Sequence, residues 1–281
     1  AISCDVNPGV SREGELKITP APGKKKVAVV GGGTAGMEAA RVLKLRGHDV
    51  TIYEEKPENG GLLHEAAAPE FKADIRPFMK YQMTALEKLG VPVLREKADV
   101  AKLAAYDVVI CATGSLPIIP NIPGVEKPIA VDCLSAINGA KPVGKKVVVI
   151  GGGLVGTETA LDLAENGHSV TLVEMLPKIM KDVAVTDFLA YSERIAKTDM
   201  RILTETRLEE VLDNGARVSS KKGEETIEAD TVILALGLKA EQGLYNELIA
   251  AGKEAYLVGD AVKAGKIFDA IHTAYRAAIR I

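Results

Sequence analysis

The sequence predicts an α/β fold of two similar units, each built on a parallel sheet. Three observations carry that reading: a 31-residue stretch occurs twice, each copy reads strand, glycine turn, helix, strand, and the strands are short β-branched runs. Residues 27–57 and 147–177 align without a gap and share fifteen of 31 positions, which marks an internal duplication of one structural unit. At 281 residues the chain is long enough for two domains.

The first elements are "VAVV" and "VVVI", residues 27–30 and 147–150. Continuous apolar, β-branched runs suit parallel strands buried on both faces. Each is followed by G-x-G-x-x-G: Gly31, Gly33, Gly36, then Gly151, Gly153, Gly156. In such a turn the first glycine permits the tight bend. The second lets backbone approach a pyrophosphate, and the third lets helix pack on strand. The helix N-terminus then offers free amides and the positive end of its dipole to phosphate. Each helix is expected to run about ten residues and to stop at Gly47 or Gly167. A second strand ends on an acid, Glu54 or Glu174, each 23 residues past the first glycine. A carboxylate there can accept hydrogen bonds from ribose hydroxyls. Strand, turn, helix, stop and acid agree twice, so both units read as Rossmann-like dinucleotide-binding folds. Glu174 would repel a 2′-phosphate, and "EMLPK" offers no arginine directly after it, so NAD is favoured over NADP. His48 and His168 also repeat, and their equivalence predicts a shared structural role.

Further elements follow in order. "KPENGGLLHEAAAPEF" is a glycine-rich loop. "ADIRPFMKYQMTALEKLG" is a helix whose Met79, Met83 and Leu86 face the core. "YDVVICATGSLPIIPNIPG" is a strand, a glycine turn and a proline-rich crossing into the second domain. After the second copy, "TDFLAYSERIAK" is a helix. "RLEEVLD", Asn214-Gly215, "ARVSSKK" and "ETIEADTVILALG" form an antiparallel patch. "AYLVGD" is a strand ending on Asp260, and a helix starts near Ala270.

Composition narrows the function classes. A net charge of −3 gives no electrostatic reason to expect nucleic acid or an acidic membrane. No apolar run reaches the roughly 18 residues of a membrane span, and the first residues lack the blocks of a signal peptide. Three widely spaced cysteines make no disulfide framework and fit a reducing, cytoplasmic setting. Cys111 and Cys133 read as core thiols. No C-x-x-C or C-x₄-C occurs, which argues against a dithiol reductase. His64 reads as a solvated loop histidine.

The order of the first copy, "CATG" (111–114), the second copy, "ILALG" (233–237) and "LVGDA" (257–261) resembles the flavoproteins with two dinucleotide-binding domains. More closely, the chain resembles the C-terminal half of the 2,4-dienoyl-CoA reductase, 2-enoate reductase and trimethylamine dehydrogenase family. The resemblance implies an FAD domain interrupted by an NAD domain, each a parallel sheet with a small antiparallel patch. The expected bounds are an arm from an iron–sulfur segment at 1–23, the FAD domain at 24–118 and 243–281, and the NAD domain at 119–242. It assigns Gly31, Gly33, Ala35, Gly36, Glu54, Gly61, Leu62, Thr113, Gly114, Gly259, Asp260, Ala270 and Ile271 to FAD. Asp260 would take a ribityl hydroxyl, and the helix near Ala270 would face the flavin N1–C2=O edge, where its dipole stabilises negative charge by about 0.3–2 kcal/mol. Gly151, Gly153, Leu154, Val155, Gly156, Glu174 and Gly237 are assigned to NADH. "SCDVNPG", residues 3–9, resembles the end of a four-cysteine site, with Cys4 as fourth ligand of a 4Fe–4S cluster. The other three cysteines and the FMN-binding flavin barrel are not in this sequence, so a longer polypeptide or a separate subunit would supply them. The oligomeric state stays open.

The expected activity is transfer of hydride from NADH to FAD, with electrons passing onward through the cluster. Flavin supplies that chemistry itself, so no catalytic side chain is assigned. Two other readings stand beside it: a free-standing NADH dehydrogenase or diaphorase, and a structural module whose first fold holds only ADP. The final substrate is not encoded in these residues.

Overall fold

The structure, a computed structural model, describes residues 2–281. The chain divides into two compact units: residues 2–67, 73–116 and 239–281 form the first, and residues 68–72 and 117–238 the second.

The first unit begins with β1 (Lys26–Val30), α1 (Thr34–Leu45) and β2 (Asp49–Tyr53). It continues with α2 (Leu63–Ala66), α3 (Ile75–Lys88), β3 (Val93–Leu94), α4 (Val100–Leu103), β4 (Val108–Cys111) and β5 (Ser115–Pro117). The second unit holds β6 (Ala130–Asp132), α5 (Cys133–Ile137), β7 (Lys146–Ile150), α6 (Leu154–Glu165), β8 (Ser169–Val173), α7 (Val185–Ile195) and β9 (Arg201–Leu203). Then come β10 (Thr206–Leu212), β11 (Gly215–Ser220), β12 (Gly223–Glu228) and β13 (Thr231–Leu234). The chain returns through β14 (Leu238–Ala240), α8 (Gly243–Ala250), β15 (Ala255–Leu257) and α9 (Ile267–Ala278).

The duplication extends to the whole sheet. The first sheet has the order β15-β4-β1-β2-β3 and the second β6-β13-β7-β8-β9, all parallel. Side chains alternate across β1. Val27 and Val29 enter a core shared with α1, α3 and α9, and Ala28 and Val30 one shared with α4 and α8. In β7, Val147 and Val149 pack toward α5, α6 and α7. Val148 and Ile150 pack against β10 and β11. Both faces of each sheet are therefore covered, which explains why the central strands read as unbroken apolar runs.

Register brings the strand ends level. Val30 lies opposite Tyr53 and Cys111, and Ile150 opposite Val173 and Leu234. The next residues, Gly31, Glu54 and Ala112 in one unit and Gly151, Glu174 and Ala235 in the other, thus share one carboxyl edge each. That edge is where open α/β sheets bind ligands.

Two expectations shift. "ETIEADTVILALG" is split: its first half is β12 of the antiparallel sheet β10-β11-β12, and its second half is β13, a central parallel strand. The last helix starts at Ile267, three residues before Ala270, because the Asp269 carboxylate caps it by accepting the Lys266 N–H at 2.9 Å.

Candidate functional site: two glycine turns

Each turn is dictated by close packing. Gly31 has φ +104°, and a Cβ there would lie 2.2 Å from the Ala112 carbonyl oxygen. Gly151 has φ +107°, with the Ala235 oxygen at 2.4 Å. At Gly36 and Gly156 a Cβ would sit 1.8 and 1.9 Å from the carbonyl oxygens of Gly31 and Gly151. These four positions must be glycine for the chain to fold on itself.

The middle glycines differ. Gly33 and Gly153 cap their helices with φ −73° and −65°, a conformation open to any residue. A Cβ at Gly153 would meet nothing within 4 Å, and one at Gly33 only the Gly61 Cα at 3.7 Å. Nothing in the fold requires glycine there. Without a Cβ the free amides of the helix N-terminus stay uncovered, the arrangement by which helix starts take anions.

The two acids are placed alike. Glu54 accepts the N–H of Gly32 at 2.6 Å and of Lys56 at 2.8 Å. Glu174 accepts the N–H of Gly152 at 2.6 Å and of Leu176 at 2.6 Å. Both are 7% exposed. Among the described residues no lysine or arginine pairs with either, so carboxylate lone pairs are left for ribose hydroxyls.

In the first unit, distant segments converge on the turn. Gly60 and Gly33 form a parallel bridge, the Gly60 N–H donates to Gly32 at 2.9 Å, and Gly61 has φ +55°. Leu62 precedes α2 on the same loop. A Cβ at Gly259 would lie 2.6 Å from the Ala35 Cβ and 3.8 Å from Ala270, so positions 35, 259 and 270 meet. Ile271 points into the core, 1% exposed. Asp260 accepts from Ser115 Oγ at 2.9 Å and from the Gly265 N–H at 3.1 Å. The Thr113 hydroxyl donates to the Glu241 carbonyl at 2.5 Å, and the Glu241 N–H to Gly114 at 3.0 Å. Thr113 therefore fastens the returning chain with its side chain. In the second unit Gly237, φ +98°, accepts the Ile118 N–H at 3.0 Å, and Leu154 and Val155 open α6.

Sequence reading missed several groups. Gln82 of α3 is 3% exposed and donates to the Thr34 carbonyl at 3.1 Å; its Oε1 and the Thr34 hydroxyl are buried without partners. Orphaned polar atoms beside the free amides that open α1 fit an absent polar group. Arg95 donates to Asn59 Oδ1 at 2.8 Å, and a Cβ at Gly32 would meet that oxygen at 2.6 Å. Glu158 is 7% exposed. It bonds Lys72 at 2.7 Å and the Tyr191 hydroxyl, whose pKa is raised by burial and by this bond. The signal for Glu158 was present, since Glu38 holds the same place in the first copy; Glu38 pairs instead with Arg41 at 2.7 Å.

None of the cysteines is in a disulfide. Cys111 ends β4, and burial pushes its thiol up to about 12, so it is no nucleophile at neutral pH. No cluster of three metal-ligating side chains occurs among the described residues, and no helix there is long and apolar enough to cross a membrane. His64 Nε2 lies 2.9 Å from the Asn59 carbonyl and serves the loop.

Comparison with known proteins agrees with this geometry. The chain is 38% identical to cinnamate reductase of Clostridium sporogenes, covering 100% of this chain and 43% of that protein. It is 39% identical to NADH oxidase of Thermoanaerobacter brockii, covering 100% and 44%. Among solved structures, a 2-naphthoyl-CoA reductase complex superposes with a TM-score of 0.95 at 35% identity, over 99% of this chain and 43% of that one. The chain thus spans less than half the length of these relatives. Residues 25–263 match the pyridine nucleotide-disulphide oxidoreductase family, a family that binds FAD and NAD(P)H, and the chain belongs to it: a flavoprotein oxidoreductase module with two nucleotide turns and no dithiol.

Proposed function

We propose that the chain is the NADH-to-FAD electron-input module of a larger reductase. The observation that carries this reading is the pair Gly33 and Gly153, glycines at the start of a helix that neither a positive φ nor a protein neighbour demands. FAD belongs to the first turn and NADH to the second. When bound, the two nucleotides supply the hydride chemistry themselves. The protein's residues bind and orient. The amides that open α1 and α6 hold pyrophosphate. Glu54 and Glu174 accept from ribose hydroxyls and fix each sugar in rotation. Asp260, already oriented by Ser115 and Gly265, accepts from a ribityl hydroxyl. Asp269 places its carboxylate in the first turn of α9, which offsets part of the helix dipole facing the flavin edge.

Cys4 would be one ligand of a 4Fe–4S cluster whose other ligands lie in the rest of the polypeptide or in a partner subunit; the cluster would supply one-electron transfer toward an FMN barrel there. The supports are the "SCDVNPG" motif and the relatives' greater length. The reducing cysteine usage points to the cytoplasm. Purified protein should release FAD on acid treatment, and NADH should bleach it anaerobically. Release of ADP alone would make the module structural. In a longer protein with the upstream cysteines, Cys4→Ala should remove the cluster signal in electron paramagnetic resonance. A retained cluster would refute the role of Cys4.

A further inference from the structure

The arm before β1 carries Cys4, and it is docked at four points. His272 Nε2 donates to the Cys4 carbonyl at 2.9 Å. The Tyr275 hydroxyl donates to the Leu16 carbonyl at 2.5 Å. Arg46 Nη1 donates to the Thr19 carbonyl at 2.9 Å, and the Arg46 carbonyl accepts the Ala21 N–H at 2.9 Å. Leu16 and Ile18 pack against the core of the first unit. Two of the four contacts come from one helix, α9, whose first turn lies beside Gly259 and Ala35.

His272 is an expensive residue for this place. It is 6% exposed, Phe268 stacks on its ring at 3.8 Å between centroids, and its Nδ1 is buried without a partner. The carbonyl can only accept, so Nε2 carries the hydrogen of this bond, and Nδ1 is left buried with no bond of its own. An apolar side chain would fill the site at no such cost, so the bond to Cys4 is the compensation on view. The contact uses the backbone of Cys4 and leaves its thiol free of hydrogen bonds among the described residues. Phe268, His272 and Tyr275 stand at i, i+4 and i+7, one stripe of the helix.

We infer that His272 and Tyr275 are positioning residues: α9 acts as a common beam that fixes the cysteine of the arm relative to the flavin end of the same helix. The functional half rests on the proposal that electrons leave through a cluster at Cys4. A rigid α9 would hold that exit at a constant distance from the flavin, and neither the His272 nor the Tyr275 side chain need touch a redox group.

The test has two arms. In the flavin-loaded chain, alkylation of Cys4 by N-ethylmaleimide and tryptic cleavage after Arg12 are measured for the native protein, His272→Ala and His272→Gln. The alanine variant should raise both rates about tenfold, as loss of one buried hydrogen bond that gates local opening does. Glutamine, which can still donate, should restore most of the protection, and the flavin spectrum should stay constant throughout. Unchanged rates in His272→Ala, or loss of flavin together with the faster rates, would overturn the inference. In a longer protein containing the cluster, His272→Ala should slow cluster reduction by NADH severalfold and leave flavin reduction unchanged; an unchanged cluster rate refutes the positioning role. If no cluster forms at all, the electron-exit proposal fails, and the alkylation rates alone decide whether the clamp exists.

Discussion

Ala35 and Val155 hold the same place in the two copies, yet Ala35 is 8% exposed and Val155 40%. The residues after the acids are alike: 55–58 and 175–178 are exposed, and the N–H groups of Gly60 and Met180 donate to the Gly32 and Gly152 carbonyls at 2.9 and 2.7 Å. Gly259 closes on Ala35 from the other end of the chain. The start of the first helix is thus covered in the first unit and open in the second. That difference suits the resident and the exchanged nucleotide of the proposal: the first gains from being surrounded, the second must leave between turnovers.

The strongest way to break the comparison is at the glycines that packing demands. Gly36→Val or Gly156→Val drives a side chain into backbone that cannot yield. Each should destabilise its own unit by about 3 kcal/mol, the upper end of overpacking costs, read by thermal unfolding. Equal, small effects would mean that the turns tolerate opening.

Next in size are the middle glycines, where stability and binding should separate. Gly153→Ala meets no protein atom, so the melting curve should stay within about 1 kcal/mol of native while the KM for NADH rises at least about tenfold. Bound FAD should be unaffected. Gly33→Ala should do the reverse, losing FAD. If either variant loses both nucleotides, the two turns are not independent sites.

Selectivity follows. Glu174→Gln with Met175→Arg should shift preference toward NADPH by about tenfold or more, one charge removed and one supplied. The native protein should reduce its flavin much faster with NADH. Equal rates with NADPH would remove Glu174 from the ribose.

The frame of the molecule was legible because duplication, glycine spacing and β-branched runs are local signals. Val27–Val30 and the helix after it could be read from their own residues, and Glu54 from its distance to Gly31. What could not be read came from segments far apart in sequence. Gln82 reaches Thr34 across 48 residues and Arg95 reaches Asn59 across 36, and no periodicity encodes either meeting. Residues 68–71, read as loop, join the second unit together with Lys72, which pairs with Glu158. The start of α9 was missed because its cap is a carboxylate reaching back to Lys266, not a serine or aspartate ahead of the helix.

The smallest expected effect concerns the paired histidines. Both tie down the start of a first strand, but with the bond reversed: His48 Nδ1 accepts the Lys25 N–H at 3.2 Å, while His168 Nδ1 donates to the Gly144 carbonyl at 2.8 Å. Burial, then the charges of Arg46 and Lys25, hold His48 below the ordinary histidine value of 6.5. The unfolded chain therefore binds a proton that the folded one resists. The stability is fully present above about pH 6.5 and falls as pH drops through the window below it. Unfolding at pH 7 and pH 5 should show that slope, and His48→Gln should flatten it. A slope that survives the change belongs to other groups.

The central claim is that one turn holds a flavin and the other its electron donor. An anaerobic titration of the purified protein with NADH, followed by absorbance, tests it most directly. The expected result is a flavin spectrum that bleaches with one equivalent of NADH per bound FAD and resists NADPH. A colourless protein, or a flavin that NADH leaves oxidised, would contradict it.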